Sequence, residues 1–319
     1  MNASVSICIP VYNGARWLTA CLESACACTV AGEIIVCDDG SKDQSVAIAE
    51  SFAKRDKRVK VFRNPKNLGL VGNWNRCLEL AKLEWVKFLF QDDKLQEGAV
   101  QRMLSAATDK VQLIAAKRNF VFTENSSAES RKYYTGKVLT FENLASGVTD
   151  FSPEKIASLC SAHIARNFIG EPSTVMFRRS LIEKVGKFDS EFRQICDLEY
   201  WLRISGTYGL LYVPEAIVDF TVHDDSVSAQ NAAHRKSGFD AILLVDRILH
   251  GEQFAEMRKK LSSSELRRLL LWLRVQTYEL KTKAPQAAAQ FFGTHPHLKL
   301  IAGKFGNGLL YRLARMRRR

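Results

Sequence analysis

Two pairs of adjacent carboxylates stand where short apolar runs end. Glu33-Ile34-Ile35-Val36-Cys37 leads into Asp38-Asp39-Gly40-Ser41, and Trp85-Val86-Lys87-Phe88-Leu89-Phe90-Gln91 leads into Asp92-Asp93. Like charges a few ångströms apart repel, so such pairs are costly when left uncompensated. A divalent cation relieves that cost, as do the hydroxyls and ring N–H of a nucleotide. Mg²⁺ commonly takes one or two carboxylates together with substrate phosphates, which gives Asp92-Asp93 a metal and diphosphate reading. Asp38-Asp39 holds one carboxylate more than a turn or helix cap needs, and the surplus can accept from a base N–H or a ribose hydroxyl.

Further candidates lie between and beyond these pairs. In Pro10-Val11-Tyr12-Asn13-Gly14, Tyr12 can stack on a base and Gly14 allows close approach of a ligand to the backbone. Cys196-Asp197-Leu198-Glu199 opens a helical pattern, where an acid gains from the helix dipole. An acid so placed can cap the helix or serve as a general base. Asp197 is the candidate, with Glu199 as its alternative. His223, ahead of Asp224-Asp225-Ser226, ends a strand-like stretch, and Gly170-Glu171-Pro172-Ser173 reads as a turn.

The elements that must position these residues alternate. Strands are expected at Val5–Ile9, Glu33–Cys37, Val59–Phe62 and Trp85–Phe90, with helices at Arg16–Cys26, Gln44–Ala53 and Leu70–Leu80 between them. That alternation argues a doubly wound, mainly parallel sheet, and ligands bind such sheets at the carboxyl ends of the strands. A helix at Gly98–Thr108 and a strand at Val111–Ala116 follow, then a polar loop at Thr123–Arg131. Beyond these come helices at Ser152–Ala165, Ser180–Val185 and Leu198–Ile204, and strands at Ser173–Phe177, Leu210–Val213 and Ala216–Val222. From about His234 the pattern is helical, with Ile242, Leu243, Val245, Ile248 and Leu249 on one segment and Leu266, Leu269, Leu270 and Leu273 on another.

The chain has 319 residues and a net charge of +12, with 15 Lys and Arg against 3 Glu from Glu256 onward. That tail carries the whole excess, and residues 1–255 are neutral. Eight cysteines without metal-type spacing read as free thiols of a reducing compartment. No leader segment or span of about 20 apolar residues is visible, so a cytoplasmic protein is expected. No G-x-G-x-x-G follows the first strand, which argues against a dinucleotide-dependent dehydrogenase. No Gly-rich loop with a lysine is present for nucleotidyl transfer.

Taken together, Ser6–Asn13, Ile34–Asp43, Asn67-Leu68-Gly69, Asn73-x-Asn75 and Gln91-Asp92-Asp93 resemble the family 2 glycosyltransferases in order and spacing. The match continues less tightly through Pro172–Phe188 and Asp197–Trp201 to His223. The resemblance implies an α/β fold of the GT-A type, a Rossmann-like sheet flanked by helices with a helical C-terminal extension. It divides the chain into a catalytic domain at 1–233, with halves at about 1–115 and 116–233, and a basic region at 234–319. It implies inverting transfer from a nucleotide-sugar donor, with UDP or dTDP as the default nucleotide, to a saccharide or lipid-linked saccharide. Donor contacts fall on Pro10, Tyr12, Asn13, Asp38, Asp39, Asn75 and Asp92. Asp93 and His223 would hold Mg²⁺ or Mn²⁺, and Asp197 would be the base. Cys196 replaces the family's usual Glu, and Gln91 stands where the metal motif often has an acid.

The basic tail, with Phe305, Leu309, Leu310, Leu313 and Met316 at helical spacing among arginines, suits an anionic membrane surface. A helical cap on the catalytic body is the competing expectation. Nucleic acid is not expected, since no recognition module is present. A degenerate sugar-nucleotide-binding module is the non-enzymatic alternative.

Overall fold

The computed structural model describes residues 4–226 and 237–303. The chain opens β1 (Val5–Val11), α1 (Ala15–Ala27), β2 (Ala31–Asp38), α2 (Ser45–Arg55), β3 (Val59–Arg63), α3 (Gly69–Leu80) and β4 (Trp85–Phe88). These strands pair in parallel in the order β3-β2-β1-β4. Successive side chains of a strand point to opposite faces, and here both faces are covered. Ile7, Ile9, Ile34 and Val36 enter a core with Leu18, Leu22 and Phe52 of the first two helices. Cys8, Ile35, Cys37, Val86 and Phe88 face the other way, against Trp74, Cys77 and Leu78 of α3. A strand buried on both sides reads as an unbroken apolar run, which is why these strands were visible in the sequence.

The second half departs from parallel order. After β5 (Lys94–Leu95) and α4 (Ala99–Ala106) come β6 (Leu113–Phe122), α5 (Ala128–Gly136), α6 (Phe141–Leu144), β7 (Asp150–Phe151) and α7 (Pro153–Ala162). A 3₁₀ turn at Pro172–Thr174 leads into β8 (Val175–Arg178), then α8 (Leu181–Val185), α9 (Cys196–Tyr208) and β9 (Leu210–Val222). β8 inserts antiparallel between β4 and β6, while β6 and β9 run parallel. β5 and β7 both pair antiparallel with β9. The sheet is therefore mixed, its parallel part confined to the N-terminal strands and the β6–β9 pair. The two strands expected over 210–222 are one, with register shifts opposite Lys117 that absorb the Pro214 region. The expected loop at Thr123–Arg131 gives way to α5, whose first turn is capped when Ser127 Oγ accepts from Ser130 N–H.

Five further α-helices are described from residue 237: α10 (Ser237–His250), α11 (Ala255–Lys260), α12 (Ser263–Lys283), α13 (Pro285–Thr294) and α14 (Pro296–Gly303), which closes the described chain. Ile242, Leu244, Val245, Ile248, Leu269, Leu273 and Phe292 are buried in the same core as Phe168, Cys196 and Trp201. The C-terminal helices thus share the interior of the catalytic body. Both the 233/234 division and the amphipathic pattern from Phe305 to Arg319 lie outside the described residues. Among those described, no helix is long and apolar enough to cross a membrane.

Candidate active site

The sheet sets the C-terminal ends of β2, β1 and β4 side by side, and the acidic pairs lie there. Most polar side chains on the β2 and β1 side are engaged in holding loops. Asp39 is buried, and its carboxylate accepts from Asn64 Nδ2 (2.8 Å), Leu68 N–H (2.8 Å) and Gly69 N–H (3.0 Å). Asn64 also donates to Asn73 Oδ1, and Asn73 donates to the Cys37 carbonyl. Asp38 Oδ1 accepts from Gly40 and Ser41 N–H, while its Oδ2 is buried and has no partner among the described residues. Pro10 is buried within β1, opposite Cys37. Asn13, at φ 49°, accepts from Lys42 N–H and donates its own N–H to Ser41 Oγ.

Two of the expected ligand-side positions are engaged with the protein itself on this side. Asn75 was placed on the donor by resemblance. Its amide instead clamps Phe188, donating to the carbonyl at 2.9 Å and accepting from the N–H at 3.0 Å. Gly14 was read as room for a ligand. The neighbour it makes room for is Gln91, since a Cβ at position 14 would lie 2.2 Å from Gln91 Oε1. Gln91 accepts from Tyr12 N–H (2.9 Å) and donates to the Tyr12 carbonyl (3.3 Å), tying the end of β1 to the Asp92-Asp93 turn. Tyr12 itself is 47% exposed, its ring open for stacking.

The second acidic pair meets the end of β9. Thr221 N–H donates to Asp93 Oδ1 at 3.0 Å, and His223 Nε2 lies 3.0 Å from Asp92 Oδ2. His223 is buried beside the Trp17 ring, centroids 5.1 Å apart. Asp93 Oδ2 and His223 Nδ1 are both buried and lack partners among the described residues. Burial, reinforced by Asp92, pushes the Asp93 carboxyl well above its ordinary range, against hydrogen bonds from Ser173 and Thr221.

Among the described residues no group of three or more His, Cys, Asp or Glu could hold a metal by itself. Asp93 Oδ2 and His223 Nδ1 each keep a coordinating atom that the described residues leave unpartnered. A histidine that gives one ring N–H to a carboxylate keeps the other nitrogen for a metal, and one or two protein ligands with phosphate oxygens is an ordinary Mg²⁺ arrangement.

Behind this turn sits Lys87, fully buried on β4. Its ammonium donates to the Phe88 carbonyl (2.6 Å) and to the Ser173 carbonyl. Burial lowers it to about 7, with Asp93 pulling the other way. Ser173 Oγ accepts from Phe90 N–H at 2.9 Å. The turn at 170–174 is thereby locked to the end of β4. Gly170 holds φ +127°, and a Cβ there would meet Thr174 Oγ1 at 2.3 Å, so only glycine fits.

That turn leads to the candidate base. Asn167 accepts from Ile169 and Gly170 N–H and donates to Asp197 Oδ2 at 2.9 Å. Asp197 Oδ1 accepts from Leu198 N–H at 2.7 Å. Burial raises the Asp197 carboxyl to about 7, with the Leu198 N–H opposing, Glu171 adding to the rise and Arg118 opposing it. Glu171 also raises Asp93, so one carboxylate influences both acids. Arg118 Nε stands 2.7 Å from Glu171 Oε2 as its counterion. Glu199, the alternative base, is bound by Arg203 through two contacts of 2.8 Å and is committed to that pair.

Sequence reasoning misses Lys87, Asn167, Arg118 and Thr221, and reads Gln91 only as a missing acid of the metal motif. Only the 170–173 turn gave a signal, through its Gly-Glu-Pro-Ser composition.

Comparison with known proteins agrees in one direction. The family model described as glycosyl transferase family 2 matches residues 6–186. An uncharacterized protein of Mycobacterium tuberculosis is 33% identical over 216 residues, 67% of this chain and 65% of its own length. The uncharacterized glycosyltransferase EpsJ of Bacillus subtilis is 30% identical over 59% of this chain and 52% of its own length. The chain thus spans less than two thirds of either relative. Among solved structures, S. aureus TarS in complex with UDP-GlcNAc superposes with a TM-score of 0.60 at 18% identity, covering 89% of this chain and 77% of that one. The mannosyltransferase PcManGT from Pyrobaculum calidifontis, in complex with GDP-Man and Mn²⁺, gives 0.56 at 14% identity over 93% and 80%. At these identities the likeness is one of fold.

Proposed function

Because this chain belongs to glycosyl transferase family 2, we propose that it moves a sugar from a nucleoside diphosphate to an acceptor hydroxyl, with inversion at the anomeric carbon. The observation that carries this reading is the pair of acids on either side of Glu171. Asp93 has a buried, unpartnered oxygen, and Asp197 is held at about 7. A general base works best when its pKa lies near the working pH. Asp197 would take the acceptor proton as the acceptor oxygen attacks the anomeric carbon. The bond to the diphosphate breaks on the opposite face, and its electron pair leaves with the phosphate. Asn167 keeps the carboxylate oriented throughout.

Asp93 and His223 would hold a divalent cation, Mg²⁺ or Mn²⁺, which when bound neutralises charge on the departing diphosphate. Tyr12 would stack on the base. Asp38 Oδ2 remains open for the nucleoside, whereas Asp39 acts through the loop it holds. The UDP-GlcNAc and GDP-Man bound to the fold neighbours support a nucleotide-sugar donor here. UDP or dTDP is the expected nucleotide. The expected setting is surface polysaccharide assembly on the cytoplasmic side, with a saccharide or lipid-linked acceptor and the basic tail at an anionic membrane.

The test is a panel of UDP-, dTDP- and GDP-sugars offered to the full chain with and without Mn²⁺ or Mg²⁺. At least one UDP- or dTDP-sugar should raise the melting temperature only when metal is present, since a ligand that binds the native state stabilises it. If no member of the panel does so, the donor reading is wrong.

A further inference from the structure

The helix that carries Asp197 has no side-chain cap among the described residues, and the loop that enters it is held by another part of the chain. Ile195 occupies the N-cap position of α9, and no side-chain hydrogen bond caps that turn among the described residues. Isoleucine has no oxygen to offer the free N–H groups, unlike the Ser, Thr, Asp or Asn favoured there. The N–H groups of Arg193, Gln194 and Ile195 converge instead on Asp240 Oδ2, at 2.9, 2.5 and 3.2 Å. Successive backbone N–H groups of this kind form a concavity suited to an anion. A carboxylate at the start of a helix is further favoured by the helix dipole.

Asp240 is 4% exposed and lies on α10, well beyond the last residue that the family resemblance covers. α10 holds the same loop a second time, because Arg247 pairs with Glu191 and lies 4.0 Å from Asp189. Its apolar face, through Ile242, Leu243 and Val245, shares a core with Phe192 and Cys196 on either side of the loop.

Resting on the proposed role of Asp197, we infer that Asp240 is a positioning residue for the base. It fixes the 193–195 loop from which α9 starts and so holds the Asp197 carboxylate against Asn167. The C-terminal helical region is then a working part of the active site, since one of its side chains completes the geometry around the reacting proton.

The experiment compares full-length wild type with D240A and D240N. Hydrogen exchange reports the amides of residues 193–199, and carboxyl-carbon NMR follows Asp197, its resonance assigned with D197N. D240A removes the acceptor and should speed exchange at 193–199 by about tenfold or more, because local opening sets that rate. It should also lower the Asp197 titration midpoint by about one unit as water reaches the turn. D240N keeps one acceptor oxygen and should fall between the two, with exchange raised about threefold. Amides of 31–45 should be unchanged in both, which separates a local effect from general loosening.

A folded D240A with wild-type exchange at 193–199 and an unmoved Asp197 midpoint overturns the inference. If D240A does not fold, D240N decides, and wild-type values there overturn it. Transfer by D197N at the native rate would remove the premise about the base. Wild-type behaviour of D240A beside an inactive D197N would remove only the role of Asp240.

Discussion

The two sides of the candidate site use their polar residues differently. On the β1–β2 side, Asn13, Asp39, Asn64, Asn73 and Asn75 bond to backbone or to one another. On the side formed by β4, β9 and α9, Asp93 keeps an unpartnered oxygen and Asp197 is raised to about 7 by burial. Satisfied polar groups stabilise a loop and fix its shape, whereas a buried acid left partly unsatisfied stores the free energy that a ligand or proton can release. Apart from Asp38, whose Oδ2 is unpartnered among the described residues, the β1–β2 motif residues are spent on shaping a loop, whereas the proposed reactive acids lie where the two halves meet.

The largest expected effect tests the reactive side. D197N should cut turnover by roughly 10²–10⁴-fold, the usual worth of a general base, with Mn²⁺-dependent UDP affinity unchanged by calorimetry. In the wild type, kcat/KM should climb with pH through about 7. The same group predicts a gain in stability. Its folded value lies above its ordinary 3.8, so the native state holds this proton more tightly than the unfolded chain between those two values. The cost of the buried charge is absent below pH 4 and complete above pH 7. D197N should therefore be more stable than wild type at pH 8, by roughly 1–4 kcal/mol, and equal to it near pH 4. A variant that loses both activity and stability at pH 8 would contradict the contrast between the two sides.

A smaller effect is expected at the seam. D93A should weaken Mn²⁺-dependent UDP binding by about tenfold or more, while binding measured in EDTA stays the same. Equal affinity with metal present would place the cation elsewhere. The smallest effect sharpens the loop side. N75A should lower stability to urea by about 1–2 kcal/mol through loss of its two bonds to Phe188, and leave UDP affinity within error. A large loss of affinity at unchanged stability would return Asn75 to the donor set.

Much of the first half was legible because its strands are buried on both faces, so apolar runs such as Ile34–Cys37 stand out without context. The second half was less so. β8 runs antiparallel to β4 and β6, and nothing in Val175–Arg178 itself encodes direction. The single strand β9 was divided at Pro214, where the interruption is accommodated by shifted pairing with β6. In the site, the acids were found because carboxylates at strand ends are conspicuous. Their supports were not, since Asn167, Lys87 and Arg118 act across long sequence separations. Asp240 is hidden for the same reason, because the residue that holds a loop is sought close to that loop in sequence.

The contact between Gly14 and Gln91 bears on any attempt to retune nucleotide preference by directed evolution. Randomising Tyr12 alters a ring that faces solvent and leaves the scaffold intact. Randomising position 14 is different, because a Cβ there would lie 2.2 Å from Gln91 Oε1, and moving that amide gives up its two bonds to Tyr12. Inactive clones from such a library would report a lost tie between the end of β1 and the Asp92-Asp93 turn and carry no information about which base the enzyme prefers.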